Sequence, residues 1–237
     1  MEWYDFALYG YFATVIGQQF FPSTNQTASL IGAFGAFAAG FLVRPLGGIV
    51  YGRIGDLVGR RRALSLSVIA MAIPTVAMAF LPTHAQIGIA APIAVVLLRL
   101  LQGISAGGEY TTSIIFLAEA APDRQRGFYS IWGLWGSVLG MLMGSAFGDL
   151  LTRTLTQPQL DAWGWRVAFA LGSLVALTGV IIRQGVGEDD AAATTKTALA
   201  STLGVHGPAF LRVLALNIAS SVGFYAVYVY LVTYVEV

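Results

Sequence analysis

The chain has 237 residues, 57% of them hydrophobic and only 11% charged, with a mean hydropathy of +0.73. A soluble domain carries roughly 25% charged residues, so this balance excludes an ordinary water-soluble fold. The formal net charge of +1 argues against a nucleic-acid partner, and the absence of cysteine excludes a disulfide framework, a thiolate metal site and a cysteine nucleophile.

No basic n-region precedes Glu2-Trp3-Tyr4-Asp5, so no cleavable signal peptide is expected and the chain is read as beginning inside or at the edge of its first membrane segment. A membrane-spanning helix takes roughly 20 predominantly apolar residues. In chain order the candidate spans are Phe6–Phe21, Ser29–Tyr51, Ala63–Leu81, Ile87–Ala118, Gly127–Gly148, Val167–Ile182 and Val213–Val235. The second is interrupted only by Arg44, and the fourth only by Arg99 and Glu109. The first and sixth are slightly short and gain a full crossing from their aromatic and arginine flanks. No segment alternates with the ten-residue pitch of a barrel, so the fold class is all-α integral membrane.

The basic residues set the orientation. Arg53, Arg60, Arg61, Arg62, Arg124, Arg126, Arg183, Lys196 and Arg212 fall on one set of alternating loops, and only Arg153 and Arg166 on the other. Nine against two places 52–62, 121–126 and 183–212 in the cytoplasm, together with the N-terminus, in a multi-pass protein of the inner (plasma) membrane. The one shift in composition is Gly185–Gly207, with Glu188-Asp189-Asp190 followed by alanine and threonine. The organisation expected is a bundle over 1–184, a cytoplasmic linker over 185–211, and over 212–237 the first helix of a second bundle cut short. A faint echo links Gly55-Asp56-Leu57-Val58-Gly59-Arg60 with Gly148-Asp149-Leu150-Leu151-Thr152-Arg153. The two copies are expected on opposite sides of the membrane, as an inverted repeat requires.

The cytoplasmic turn Gly52-Arg53-Ile54-Gly55-Asp56-Leu57-Val58-Gly59-Arg60-Arg61-Arg62 carries the sharpest signal. Its glycines let helix ends approach, and its acid and arginines can form a switchable charge cluster or remain solvated. Here the chain resembles the major facilitator superfamily, whose signature Gly-x-Leu-Ala-Asp-Arg-x-Gly-Arg-Arg is matched by Gly52, Asp56, Gly59, Arg60 and Arg61. Ile54 and Gly55 depart mildly, and Leu57 replaces the usual basic residue. A second signature, of the sugar-porter type, is matched by Leu101, Gly103, Ile104, Gly107, Phe116, Glu119 and Arg126. Arg99-x-x-Gln102-Gly103 is similar to the superfamily's fourth-helix arginine motif. Glu2-Trp3-Tyr4-Asp5-Phe6-Ala7-Leu8-Tyr9-Gly10, Arg44-Pro45-Leu46-Gly47 and Trp163-Gly164-Trp165-Arg166 resemble the metabolite:proton symporters, carriers of 2-oxoglutarate, citrate, shikimate and proline or betaine.

The resemblance implies a six-helix N-terminal bundle made of two three-helix inverted repeats, plus a seventh helix. Members have twelve helices, so a missing C-terminal half is expected to be needed for function. It also implies proton-coupled symport of a small carboxylate or zwitterion across the lipid bilayer, with a proton gradient as the energy source and no cofactor. Asp5 and Arg99 are the implied coupling pair: a proton on Asp5 would release Arg99 for an anionic substrate. The alternative is a static ion pair that fixes helix packing. Gln102, Tyr4 and Tyr9 complete the proton or substrate set, and Gly52, Asp56, Gly59, Arg60, Arg61, Glu119 and Arg126 form the gating motif.

Glu109 lies about 15 Å along the helix from Arg99 and is turned roughly 80° away from it. It therefore faces another helix or a different depth of the cavity, as a substrate or proton site or as a packing partner. Arg44 either snorkels to the interface, the default, or pairs with an acid there. Gly103 and Gly107, and likewise Gly133, Gly136, Gly140 and Gly144, offer smooth strips for close helix contact. Tyr4, Tyr9, Trp132 and Trp135 line a cavity or pack, and Trp163 and Trp165 read as a periplasmic interfacial anchor. His84 and His206 stand without a second ligand, so no metal is expected. The competing functions are a sugar or polyol porter and a non-transporting half-carrier. No serine–histidine pairing, zinc-protease motif or phosphate loop supports an enzyme.

Overall fold

The computed structural model describes residues 2–172, 174, 207–209 and 211–219. They are mostly helical and, among them, there is no strand. The chain divides into two units, Met1–Ala192 and Ala193–Val237. In the second, the described part is the apolar helix Gly207–Ala219. The expected linker up to residue 206, the end of the sixth span and the end of the seventh lie outside the described residues, while residues 207–209 and 211, expected to close the linker, already belong to this helix.

The first span is seen as α1 (Glu2–Tyr11) and α2 (Ala13–Phe20). At Phe12 the backbone loosens without losing its ladder: Phe12 N–H donates to Leu8 O and Ile16 N–H to Phe12 O, each at 2.9 Å. Asn25 then caps α3 (Gln26–Leu42), its Oδ1 accepting from the Thr27 N–H at 2.9 Å. A break at Val43 separates α3 from α4 (Arg44–Val58), because Pro45 has no N–H to continue the ladder. Gly59, at φ +96°, ends α4 in the left-handed region and turns the chain into α5 (Arg60–Phe80), which carries Pro74. A capping box between Thr83 and Gln86 starts the single turn α6 (His84–Ile87). The two longest helices follow, α7 (Ala90–Ala120) and α8 (Arg126–Thr154), and then a helical run over 165–172.

Among the described residues, four segments are long and apolar enough to cross a membrane: Gln26–Val58, Arg62–Phe80, Ala90–Ala120 and Asp123–Thr154. Their outward faces match. Ile131, Leu134, Trp135, Val138 and Leu142 of α8 are all at least half exposed, a face suited to hydrocarbon and not to water.

The helix α7 is the spine of the first unit, packing on α3, α4, α5 and α8, while α1 lies on α8 and α2 on α3. Glycine against carbonyl makes the tightest seam. A Cβ on Gly103 would collide with the carbonyl of Gly40, one on Gly107 with that of Arg44, and one on Gly47 with that of Ile104. On α8 the glycines divide. Gly140 and Gly144 abut Trp3 and Tyr4 of α1, Gly133 touches Ile114, and Gly136 has nothing within 4 Å. The core of the unit gathers Leu8, Tyr9, Phe12, Ile16 and Phe20 with Val95, Trp165 and Phe169.

Trp165 departs from the expectation of an interfacial anchor. Trp163 is 44% exposed, but Trp165 is fully buried, its ring edge-on to Phe20 at 5.6 Å and to Phe169 at 6.2 Å. It opens the helix at 165–172 and points inward, so it is a core residue and not an interfacial anchor.

The seam makes a prediction. Gly103→Ala should destabilise the protein by about 1–3 kcal/mol, because backbone against backbone cannot give way. Gly35→Ala, with nothing within 4 Å of its Cβ, should be neutral. Thermal unfolding of the two variants in detergent checks this, and equal melting temperatures would refute it.

Candidate functional site

Two acids one helical turn apart on α1 meet two arginines from other helices. Asp5 is wholly buried, and its Oδ2 accepts from Arg99 Nη1 at 2.6 Å. Its Oδ1 accepts from Gln102 Nε2 at 3.2 Å, and the same amide donates to Thr75 Oγ1 at 3.0 Å. Thr75 in turn donates to the Met71 carbonyl at 3.0 Å. Arg99 lies with its guanidinium carbon 3.9 Å from the centroid of the Tyr9 ring, and that ring is fixed by a 2.8 Å hydrogen bond from Tyr9 Oη to the Ala33 carbonyl. Tyr4 Oη donates to the Ala168 carbonyl at 3.1 Å, tying α1 to the helix at 165–172. The structure thus brings Asp5, Arg99, Gln102 and Tyr9 together, with Tyr4 a neighbour in the core.

Capacity is left over. Arg99 Nε and Nη2 and Gln102 Oε1 are buried without a hydrogen-bond partner among the described residues. Buried polar groups are normally satisfied, so unused donors beside a buried ion pair are open to a further acceptor.

The second pair is Glu2 with Arg44, at 2.7 Å between Oε1 and Nη2. Neither atom makes a directed hydrogen bond, so the contact is charge attraction more than N–H alignment. The guanidinium of Arg44 sits over Phe41 at 3.9 Å and Phe6 at 4.4 Å, and 5.6 Å from the Trp3 ring. Arg44 therefore does not snorkel: an acid and three aromatic rings hold it within the bundle. Sequence reading did not single out Glu2 as its partner. The available signal was the i, i+3 spacing of Glu2 and Asp5, which puts both on one face of α1 opposite two in-membrane arginines.

Glu109 joins neither pair. With Glu2, Trp3, Tyr110 and Trp132 it lines a cavity of about 180 Å³ between α1, α7 and α8, and its Oε2 is buried without a partner among the described residues. A charge at the bilayer centre costs about 2.5–3.5 kcal/mol, so such a carboxylate calls for a reason.

The motif residues lie elsewhere, at the shared end of α4, α5, α7 and α8. Asp56 is exposed near the end of α4, Gly52 lies one turn earlier, and Gly59 makes the turn. Glu119 is exposed in the last turn of α7. Arg126 pairs with Asp123 at 2.7 Å, and both are well exposed. The side chains of Arg60 and Arg61 lie outside the described residues. In the segment echoing this turn, Asp149 and Arg153 pair at 2.7 Å at the far end of α8.

Removing one member of the buried pair predicts a large cost. Arg99→Gln should destabilise by about 3–5 kcal/mol, since it strands the Asp5 carboxylate. Arg99→Gln combined with Asp5→Asn should recover part of this, and a thermal double-mutant cycle checks it. Additive losses would mean that the two side chains do not interact.

A family model described as "Sugar (and other) transporter" matches residues 1–188. The chain is 40% identical over 191 residues to the glycine betaine/proline/ectoine/pipecolic acid transporter of Dickeya dadantii, covering 81% of this chain and 38% of that protein. It is 37% identical over 237 residues to the alpha-ketoglutarate permease of Escherichia coli, covering 99% of this chain and 55% of that protein. The shikimate transporter of Escherichia coli is 34% identical, with 99% and 56% covered. The chain thus spans between 38% and 56% of the length of these relatives. Among solved structures, the inward-open xylose transporter of Escherichia coli superposes with a TM-score of 0.72 at 19% identity, over 94% of this chain and 53% of that one, a likeness of fold.

Proposed function

Because the chain belongs to the sugar (and other) transporter family within the major facilitator superfamily, we propose that it forms the N-terminal bundle of a proton-coupled symporter for a small carboxylate or zwitterion. The buried, close-contact pair of Asp5 with Arg99 carries this reading. While Asp5 is ionised it holds Arg99. A proton on Asp5 removes the charge that holds the guanidinium, whose free N–H donors can then take a carboxylate of the substrate. Loss of the proton restores the pair and expels the substrate. One carboxylate thus couples the two fluxes, with no cofactor beyond the proton gradient. Gln102 keeps Asp5 in place in both states, and Tyr9 gives Arg99 a surface to rest on when the pair opens.

Alternating access takes two bundles rocking about a site between them. In this proposal residues 1–184 are the first bundle, 185–211 a cytoplasmic linker and 212–237 the first helix of the second bundle. The N-terminus is cytoplasmic and the membrane is the inner one. The turn around Gly52, Asp56, Gly59, Arg60 and Arg61, with Glu119 and Arg126, gates the cytoplasmic end. The carboxylate and zwitterion classes draw support from relatives named for proline and betaine, alpha-ketoglutarate and shikimate.

The test is uptake of labelled 2-oxoglutarate, citrate, shikimate, proline and betaine into proteoliposomes under an inward proton gradient. The chain is assayed alone and joined to the C-terminal half of the alpha-ketoglutarate permease. Gradient-driven accumulation of one of these solutes is expected from the joined protein. Asp5→Asn should abolish accumulation while sparing exchange of solute across the membrane. Full proton-driven accumulation by Asp5→Asn would sink the assignment.

A further inference from the structure

We infer that the cavity between α1, α7 and α8 is a seat for a small organic ammonium group, the cationic end of the transported molecule. The inference rests on reading the chain as a transporter bundle and adds the chemistry of one station on the path.

Charge comes first. Two carboxylates line the cavity, and only one is balanced: Glu2 has Arg44 at 2.7 Å, whereas Glu109 Oε2 is buried with no partner among the described residues. The lining contains no lysine or arginine. The cavity is therefore a place of negative charge that an anion would avoid and a cation would neutralise.

The walls narrow the kind of cation. Trp3 and Tyr110 meet edge to face, with centroids 6.4 Å apart and planes at 74°, so their ring faces form a corner. Trp132 adds a third aromatic wall. Aromatic faces at right angles around a carboxylate suit a bulky, weakly hydrated ammonium, which binds through the ring quadrupole and needs no hydrogen-bond donor. A bare metal ion would want converging oxygens, and only two carboxylates are present.

Size fits the same answer. A volume of about 180 Å³ is below the range of roughly 300–1,000 Å³ typical of pockets for whole drug-sized ligands, so it takes a head group. Room is kept at Gly136, where a Cβ would meet nothing within 4 Å. Glu109 lies about 15 Å along α7 from Arg99, farther than a small zwitterion reaches. The seat is thus occupied at a different stage of transit from any contact with Arg99.

The experiment titrates the purified 237-residue chain in detergent with tetramethylammonium chloride, following tryptophan fluorescence, since Trp3 and Trp132 line the cavity. Sodium chloride and sodium succinate at equal ionic strength are the controls. A saturable change with tetramethylammonium alone is expected. Glu109→Gln should weaken it about tenfold or more. Tyr110→Leu should weaken it too, with Tyr110→Phe retaining it, and neither change removes a reporting tryptophan. Lack of saturation in the unsubstituted chain, equal binding by Glu109→Gln, or an equal response to succinate would each overturn the inference. If the unsubstituted chain bound tetramethylammonium in this way while Asp5→Asn kept full proton-driven uptake in the joined protein, the coupling role of Asp5 would fall and the ammonium seat would stand.

Discussion

A charged side chain in a bilayer has no water to turn to, and its partner must come from another helix. In this bundle that requirement falls mainly on the first turn of α1, where Glu2 and Asp5 take Arg44 from α4 and Arg99 from α7. Two contacts one turn apart fix both the depth and the rotation of α1. The aromatic residues near them then have little freedom: Tyr9 lies under Arg99, and Phe6 and Phe41 lie under Arg44. Much of the packing around α1 follows from where these two arginines sit.

The arginines are placed by the glycine seam. The carbonyl of Arg44 lies against Gly107, and that of Arg99 against Gly40. The residues that carry these positive charges thus also touch a glycine of the neighbouring helix through their backbones. Side-chain bulk at Gly40 or Gly107 would displace a guanidinium as well as a helix. Packing and electrostatics share the same few positions.

How far the sequence could be read depends on the kind of information each feature carries. The long apolar runs of α7 and α8 are visible in composition alone, and so is the small-residue spacing of Gly103 and Gly107. The meeting of Asp5 with Arg99 was readable only through the family resemblance, because nothing in either helix says which face its partner approaches. The pairing of Glu2 with Arg44 is illegible in the sequence for the same reason: it depends on the break at Val43 before Pro45, which sets the direction in which the first residue of α4 projects. Trp165 was misplaced because a tryptophan after a glycine in a short loop looks the same whether it faces lipid or Phe20. Gly136 was read as part of a packing strip, yet it borders a cavity, and only the positions of α1 and α7 tell it apart from Gly140 and Gly144. Periodicity reveals faces; it does not say what they face.

The seam between α3–α4 and α7 has a further property. It consists of Cα atoms lying against carbonyl oxygens, with no ionisable group in the contact itself. Its strength comes from dispersion and weak C–H···O attraction, both indifferent to protons and dissolved ions. The ion pairs beside it are the opposite, since their strength depends on protonation and on what else is near. In the proposed mechanism a proton on Asp5 would therefore act on α1 alone, while the frame that carries Arg99 stays closed, and the bundle would have a moving part mounted on a fixed one.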